Sequence, residues 1–258
     1  MSGLDLAAFL VLGFVAGAYG TLVGIGGGLL VVPVLIFAHY PPKDAAGTSM
    51  VVVLANAASG SVTYLRQARV HLRAAFVFAV AGIPGALLGG LVDQYVPQRL
   101  FSLLFGVLLA FVAVRIFVSR GPGVKSNSSS ATTANTSAFS TPIAAIVGFL
   151  AGFVASVFGV GGGLIFVPTM VYVFGFLPHV ATATSTFIIA LTAIFGTASH
   201  AYYHDIRWGP ALAIAGGAIV GAQVGARIAP RIHHSQLIRL FSIAVFLAAL
   251  WLFYRALH

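Results

Sequence analysis

The sequence predicts an all-α, polytopic helical membrane protein built of two inverted repeats. Each repeat is expected to hold a glycine-broken helix hairpin plus about three transmembrane helices. Three observations carry this. Hydrophobic residues make up 60% of the 258-residue chain and charged ones only 7%, with a mean hydropathy of +1.05. A glycine-rich apolar phrase occurs twice. The arginine-bearing loops exchange positions between the two halves.

A water-soluble fold cannot hide so much apolar surface, so lipid is the solvent for most of the chain. Residues 46–65, 74–92, 100–118, 181–203, 209–227 and 236–254 each approach the ~20 residues that a helix needs to cross a hydrocarbon core. They are apolar on all faces, which a barrel of short alternating strands would not be. The first apolar run recurs at residue 148, so it reads as part of the fold rather than as a cleaved leader. Cysteine is absent, which excludes disulfides and thiolate chemistry. The net charge of +9 comes from basic residues scattered between the spans. They suit the setting of topology better than nucleic-acid binding.

The repeated phrase spans residues 13–33 and 148–168, with 11 of 21 aligned positions identical. Further on, Pro42 aligns with Pro178, Thr48-Ser49 with Thr184-Ser185, Gly60 with Gly196 and Gly89 with Gly225. The repeats therefore occupy 1–118 and 143–258, joined by a polar linker of Ser, Thr, Asn, Gly and Pro at 119–142. In the first half, Arg66, Arg69 and Arg73 follow one span, while Asp93 and Arg99 cancel after the next. In the second half, Asp205 and Arg207 cancel first, and Arg227, Arg231 and Arg239 follow. The positive-inside rule then places both arginine-rich loops and the linker in the cytoplasm of a multi-pass cell (inner) membrane protein. Both termini lie outside, and the halves are inverted.

Gly24, Gly26, Gly27 and Gly28 cluster within one long apolar stretch, and Gly159, Gly161, Gly162 and Gly163 match them. Each interior glycine costs a helix about 1 kcal/mol, so such a cluster breaks the helix. Irregular backbone survives at membrane depth only inside protein or beside a cavity. The expected solution is two half-length helices that enter and leave from one side. The second begins near Gly28-Leu29, and its counterpart near Gly163-Leu164. Their unpaired N–H groups and positive dipole ends would converge on an anion. Gly13/Gly17 and Gly85/Gly89 read instead as helix-packing positions. Pro33 and Pro168 read as structural punctuation that kinks or ends the second arm.

Thr48, Ser49, Thr184 and Ser185 recur in both halves and offer hydroxyl donors that hold an anion without adding charge. The same groups equally satisfy carbonyls of their own helix. Asn56 is either a ligand or an interhelical partner, and Thr21 and Ser156 are weaker candidates. His200 is either an intramembrane titratable group or part of an interfacial belt with Tyr202, Tyr203 and His204. No pairing of histidines on one helix face suggests a metal, and no cofactor motif is present. The chain has no Glu, and Asp5, Asp44, Asp93 and Asp205 fall near segment ends. With no carboxylate expected at depth, the solute is an anion or a neutral molecule rather than a metal cation.

The phrases GIGGGLLVVP (Gly24–Pro33) and GVGGGLIFVP (Gly159–Pro168), each followed by an A-x-x-T-S stretch, resemble the TauE/SafE family. The resemblance covers both halves. It implies export of small sulfur-containing anions, sulfite or organosulfonates such as sulfoacetate. Outward movement of one negative charge is favoured by about 2.3 kcal/mol per 100 mV of inside-negative potential, so such an exporter needs no coupling ion. The expected partners are a small anionic solute and the lipid bilayer, with homo-oligomerisation open. A carrier or channel for another small anion or a neutral solute is the first alternative. An intramembrane enzyme using His200 and His204 is a second, without a nucleophile–base pair to support it.

Overall fold

The computed structural model describes residues 3–118 and 140–229. The regular elements among them are all helical: α1 (Gly3–Val23), α2 (Gly28–Phe37), α3 (Pro42–Arg66), α4 (Leu72–Asp93), α5 (Gln98–Val118), α6 (Thr141–Phe158), α7 (Gly163–Pro168), α8 (Pro178–Tyr202) and α9 (Trp208–Ile228). By length and composition α1, α3, α4, α6, α8 and α9 can each cross a membrane. The expected spans fall on α3, α4, α5, α8 and α9. The expected span at 236–254 and most of the linker lie outside the described residues.

Helix starts are written locally. Prolines stand in the first turns of α3, α6 and α8, where a missing N–H leaves no bond unmade. His71 caps α4 by accepting the Ala74 N–H at Nδ1, 3.2 Å away. The glycine phrases break the chain as expected, but their first arms are not half-length. The apolar run ahead of the glycines is long enough for 21 residues in α1 and 18 in α6. Only the second arm is short, at ten residues in α2. Pro33 leaves α2 helical to Phe37. After Pro168, α7 widens through Thr169–Val173, where the Phe174 N–H reaches back five residues to the Thr169 carbonyl at 3.2 Å.

Contacts divide the chain into Met1–Tyr95 with Ala138–Pro230, and Val96–Ser137 with Arg231–His258. The second unit contributes α5 to the described residues. In the first unit the two sequence halves interlock. Gly217, Gly221 and Gly225 of α9 lie against the carbonyls of Leu10, Phe14 and Ala18 of α1. Gly82, Gly85 and Gly89 of α4 lie against those of Gly148, Phe149 and Phe153 of α6. Both ladders climb in the same direction on both helices, so each pair is parallel, and the missing Cβ atoms let the backbones touch. The packing role expected for Gly85 and Gly89 is therefore met by α6, from the other half.

Side-chain bonds fix the remaining directions. Ser59 Oγ donates to the Ile219 carbonyl (2.8 Å), Thr63 Oγ1 to Gln223 Oε1 (2.6 Å) and Gln67 Nε2 to the Ala226 carbonyl (3.3 Å). Hence α3 runs parallel to α9. Thr197 Oγ1 donates to the Met50 carbonyl (3.1 Å), whereas Gly60 lies beside Thr186. Hence α3 and α8 are antiparallel. Gly82 meets Thr192, and Gly90 meets Ser199, which makes α4 parallel to α8. Helices α1, α3 and α9 thus point one way, and α4, α6 and α8 the other. Since α2 and α3 are joined by a short turn, α2 brings the chain back to the end from which α1 starts.

The core between these sets is apolar. Phe78 packs edge-on against Phe166 and Phe174, with centroids 5.7 and 5.8 Å away. The outward faces are apolar as well: Val80, Ile146 and Leu212 are each more than 60% exposed, as befits surfaces turned to lipid chains rather than water.

Candidate functional site

The break after α1 begins at the Gly20 carbonyl, which accepts from the N–H groups of Gly24 (2.9 Å), Ile25 (2.9 Å) and Gly26 (3.3 Å). The chain then turns through left-handed backbone at Gly24, Gly26 and Gly27, with φ of 79°, 93° and 81°. Gly159, Gly161 and Gly162 repeat the pattern at 65°, 94° and 74°. Residues with a Cβ populate this region at a cost, which is why glycine recurs at these positions. The new helices start immediately afterwards: the Gly27 carbonyl accepts the Leu30 N–H at 3.1 Å, and the Gly162 carbonyl the Ile165 N–H at 3.0 Å. Gly28, Leu29, Gly163 and Leu164 supply the first N–H groups of α2 and α7. Among the described residues these N–H groups have no backbone acceptor.

The two breaks cross each other. Ser49 Oγ, on α3, donates to the Gly159 carbonyl at 2.7 Å, and Ser185 Oγ, on α8, donates to the Gly24 carbonyl at 2.8 Å. Gly28 faces the Gly159 carbonyl, and Gly163 faces that of Gly24. Each half therefore closes on the other's break through the same residue type. Thr48 and Thr184 lie one residue away and have a different task. Thr48 Oγ1 accepts the Arg207 N–H at 3.0 Å, and Thr184 Oγ1 accepts the His71 N–H at 3.0 Å. They anchor the starts of α9 and α4. Thr48, Ser49, Thr184 and Ser185 are all fully buried.

Asn56 belongs to the first break alone. Its Oδ1 accepts from Thr21 Oγ1 at 2.8 Å, while its Nδ2 is buried without a partner. That amide lies against Gly20 and Gly27. An unpaired donor costs about 1–3 kcal/mol when buried. Here it stands beside the unpaired N–H groups that open α2. The matching position in the second half is Thr192, whose hydroxyl bonds the Ile188 carbonyl of its own helix at 3.1 Å. Thus the structure gathers Gly24, Gly26, Gly27, Gly28, Leu29, Gly159, Gly161, Gly162, Gly163, Ser49 and Ser185 at one crossing. It adds Asn56 on one side and sets Thr48 and Thr184 at its margin. Leu164 is the one member not fully buried.

Asp93 and Asp205 lie at the ends of elements, as the sequence indicates, yet they are only 2% and 3% exposed, and His200 beside them is 0% exposed. His200 is consequently no part of an interfacial belt, although Tyr202 is 78% exposed. One N or O atom from each of Asp93, His200 and Asp205 lies within 4.8 Å of the others. The ends of α4 and α8 and the turn after α8 fold together and exclude water. Asp44 is buried too, but it has a cationic partner: it accepts Arg207 Nη2 at 2.7 Å and Nε at 2.8 Å from an arginine that is largely exposed. Arg207, Tyr40 and Pro41 line an open cavity of about 400 Å³.

Comparison with known proteins agrees over nearly the whole length. The model of the family described as sulfite exporter TauE/SafE matches residues 9–252. The chain is 28% identical to the probable membrane transporter protein YunE of Bacillus subtilis, over 98% of this chain and 99% of that relative. It is 29% identical to a probable membrane transporter protein of Xylella fastidiosa, over 95% and 93%. A probable membrane transporter protein of the archaeon Methanocaldococcus jannaschii, MJ0441, is 28% identical over 76% and 73%. No solved structure matches. With six membrane-length helices among the described residues and a family match from residue 9 to residue 252, the chain is a multi-pass membrane protein that belongs to the TauE/SafE family of membrane transporters.

Proposed function

We propose that the protein is a secondary transporter that exports small sulfur-containing anions, sulfite or organosulfonates such as sulfoacetate, by alternating access at the crossed breaks. The observation that carries this is the unpaired Asn56 Nδ2 beside the Gly27 turn and the free N–H groups of Gly28 and Leu29. A cluster of neutral donors at the positive end of a helix selects an anion and binds it without a fixed cation, so release is not opposed by an ion pair. Oxyanions of sulfur present several acceptor oxygens to such donors. The family description supports that solute class.

The antiparallel run of α3 and α8, and the reciprocal bonds of Ser49 and Ser185, support two inverted halves related by an axis through the crossing. In repeat terms the halves remain 1–118 and 143–258. The ends of α3 and α9 that carry Arg66 and Arg227 lie together, in accord with a cytoplasmic placement of both and termini outside, in the inner membrane. The breaks pack directly on one another, so an anion enters only when the α1–α2 and α6–α7 hairpins part. Rocking of one half against the other supplies that motion.

Exchange of labelled sulfoacetate across proteoliposomes tests the reading. Saturable exchange, inhibited by sulfite and lost in Asn56→Asp, is expected. Exchange that lactate or chloride inhibits as well as sulfite does would move the solute class to small anions in general.

A further inference from the structure

We propose that Asp93, His200 and Asp205 form a buried proton-binding site that makes the transporter an antiporter, with proton and anion bound alternately. The proposal rests on the anion reading of the crossed breaks and names the coupling ion.

The cluster stands out because the positions that match it by repeat symmetry hold neither a carboxylate nor a histidine. His200 aligns with Tyr64, Asp93 with Ala229, and Asp205 with Arg69. Tyr64 donates its hydroxyl to the Thr21 carbonyl at 2.9 Å. His200 Nε2 makes the matching bond to the carbonyl of Ser156, also at 2.9 Å, and Ser156 aligns with Thr21. The helix-to-helix bond is kept at both places, but only at His200 is it built from a titratable ring, with one carboxylate from each half beside it. Packing alone needs no such change.

The bonding state of each atom shows what the cluster lacks. A carbonyl only accepts, so His200 Nε2 carries a hydrogen and Nδ1 is the open position. Nδ1 is buried without a hydrogen bond and lies 3.5 Å from Asp205 Oδ2. Both oxygens of Asp93 are buried without a partner. Gln94 Nε2 donates to Asp205 Oδ2. From the elements packed on Asp93, α8 presents His200, the turn after α8 presents Asp205, and α6 presents no titratable group. The charge of Lys43, on the exposed first turn of α3, also reaches Asp93. Two carboxylates beside one ring, buried with a single amide donor between them, gather negative charge that the uptake of a proton lowers.

The link to the anion site runs through Ser156. It sits three residues before Gly159, whose carbonyl Ser49 holds at the crossing. A protonated His200 donates a stronger bond to the Ser156 carbonyl than a neutral ring does, and so fixes the end of α6 and keeps the second break closed. Loss of the proton weakens that hold and lets the break part for an anion. Proton and anion then exclude one another, and they cross the membrane in opposite directions.

The experiment uses vesicles loaded with sulfoacetate and a fluorescent pH probe, with the potential clamped. Sulfoacetate is fully ionised near neutral pH, so it carries no titratable proton itself. As sulfoacetate leaves through the wild-type protein, the lumen should acidify. Asp93→Asn and Asp205→Asn should reduce acidification to the protein-free background while still exchanging sulfoacetate for sulfoacetate, which shows that they are folded. Unchanged acidification in both variants, or a lumen that turns alkaline, overturns the proposal. If the wild type exchanges no sulfoacetate, the anion reading fails and the coupling with it. The proton site is then decided by infrared titration of purified protein. An imidazole ring band that titrates in the wild type and is missing in His200→Gln supports it, and no such band overturns it.

Discussion

Ser49 donates its hydroxyl hydrogen to the carbonyl of Gly159, 2.7 Å away and 110 residues further along the chain. The same bond recurs from Ser185 to Gly24 at 2.8 Å. Two hairpins that each break at glycine are thereby latched by the opposite half, and the latch is made of neutral hydrogen bonds that can open without stranding a charge.

Removing one latch leaves a buried carbonyl short of a partner. Ser49→Ala and Ser185→Ala should each destabilise the protein by about 1–3 kcal/mol, visible as a lower unfolding temperature in detergent. Both bonds close the same crossing, so the double variant should depart from additivity. Strict additivity would show that the two bonds act independently.

The glycine turns tolerate no side chain. At Gly27 a Cβ would sit 2.8 Å from the Ala16 carbonyl, with φ at 81°; at Gly162 it would sit 3.0 Å from the Ala151 carbonyl, with φ at 74°. Gly27→Val and Gly162→Val should each cost about 1–3 kcal/mol in backbone strain. Both should insert into the membrane and lose transport, as measured by surface expression alongside flux.

Asn56 discriminates a donor site from a packing contact. Asn56→Asp keeps the volume and replaces the free Nδ2 donor with a carboxylate oxygen. An anion site should lose exchange almost completely, while Asn56→Gln retains part of it. If Asn56→Asp transported as well as wild type, the amide would be no ligand.

The interlocked seams should govern stability rather than transport. Gly85 faces the Phe149 carbonyl across the α4–α6 contact. Gly85→Leu forces rigid backbones apart and should destabilise by about 1–3 kcal/mol. The measured quantity is the unfolding temperature.

Inversion of the halves can be read with two single-cysteine variants, since the chain has no cysteine of its own. Arg66 and Tyr202 are equivalent positions at the ends of α3 and α8, and both are exposed. A membrane-impermeant maleimide should label Arg66→Cys from one side of the membrane and Tyr202→Cys from the other. Labelling from the same side would show parallel halves.

Much of the architecture is visible in the sequence because its cause is local. The glycine clusters mark the breaks, since no other residue adopts that backbone three times within four positions. Thr48-Ser49 and Thr184-Ser185 announce themselves by recurring. Their division of labour does not, because which hydroxyl reaches the opposing break depends on how α3 and α8 cross. The buried Asp93, His200 and Asp205 were the least visible. Each lies at the end of an element, where composition suggests water, and only tertiary packing brings the three ends together. The signal that could have revealed them is the broken repeat itself: a histidine in the second half where the first has Tyr64, and an aspartate in the first half where the second has Ala229.

The central claim is that this fold moves sulfur-containing anions through crossed, glycine-broken helices. Its most direct test is net efflux from proteoliposomes at a set membrane potential, for sulfite, sulfoacetate, sulfate, thiosulfate, lactate and chloride in parallel. Saturable, mutually competitive efflux of sulfite and sulfoacetate, lost in Asn56→Asp and Gly162→Val, is the predicted result. Efflux of none of these anions from correctly inserted protein would contradict it.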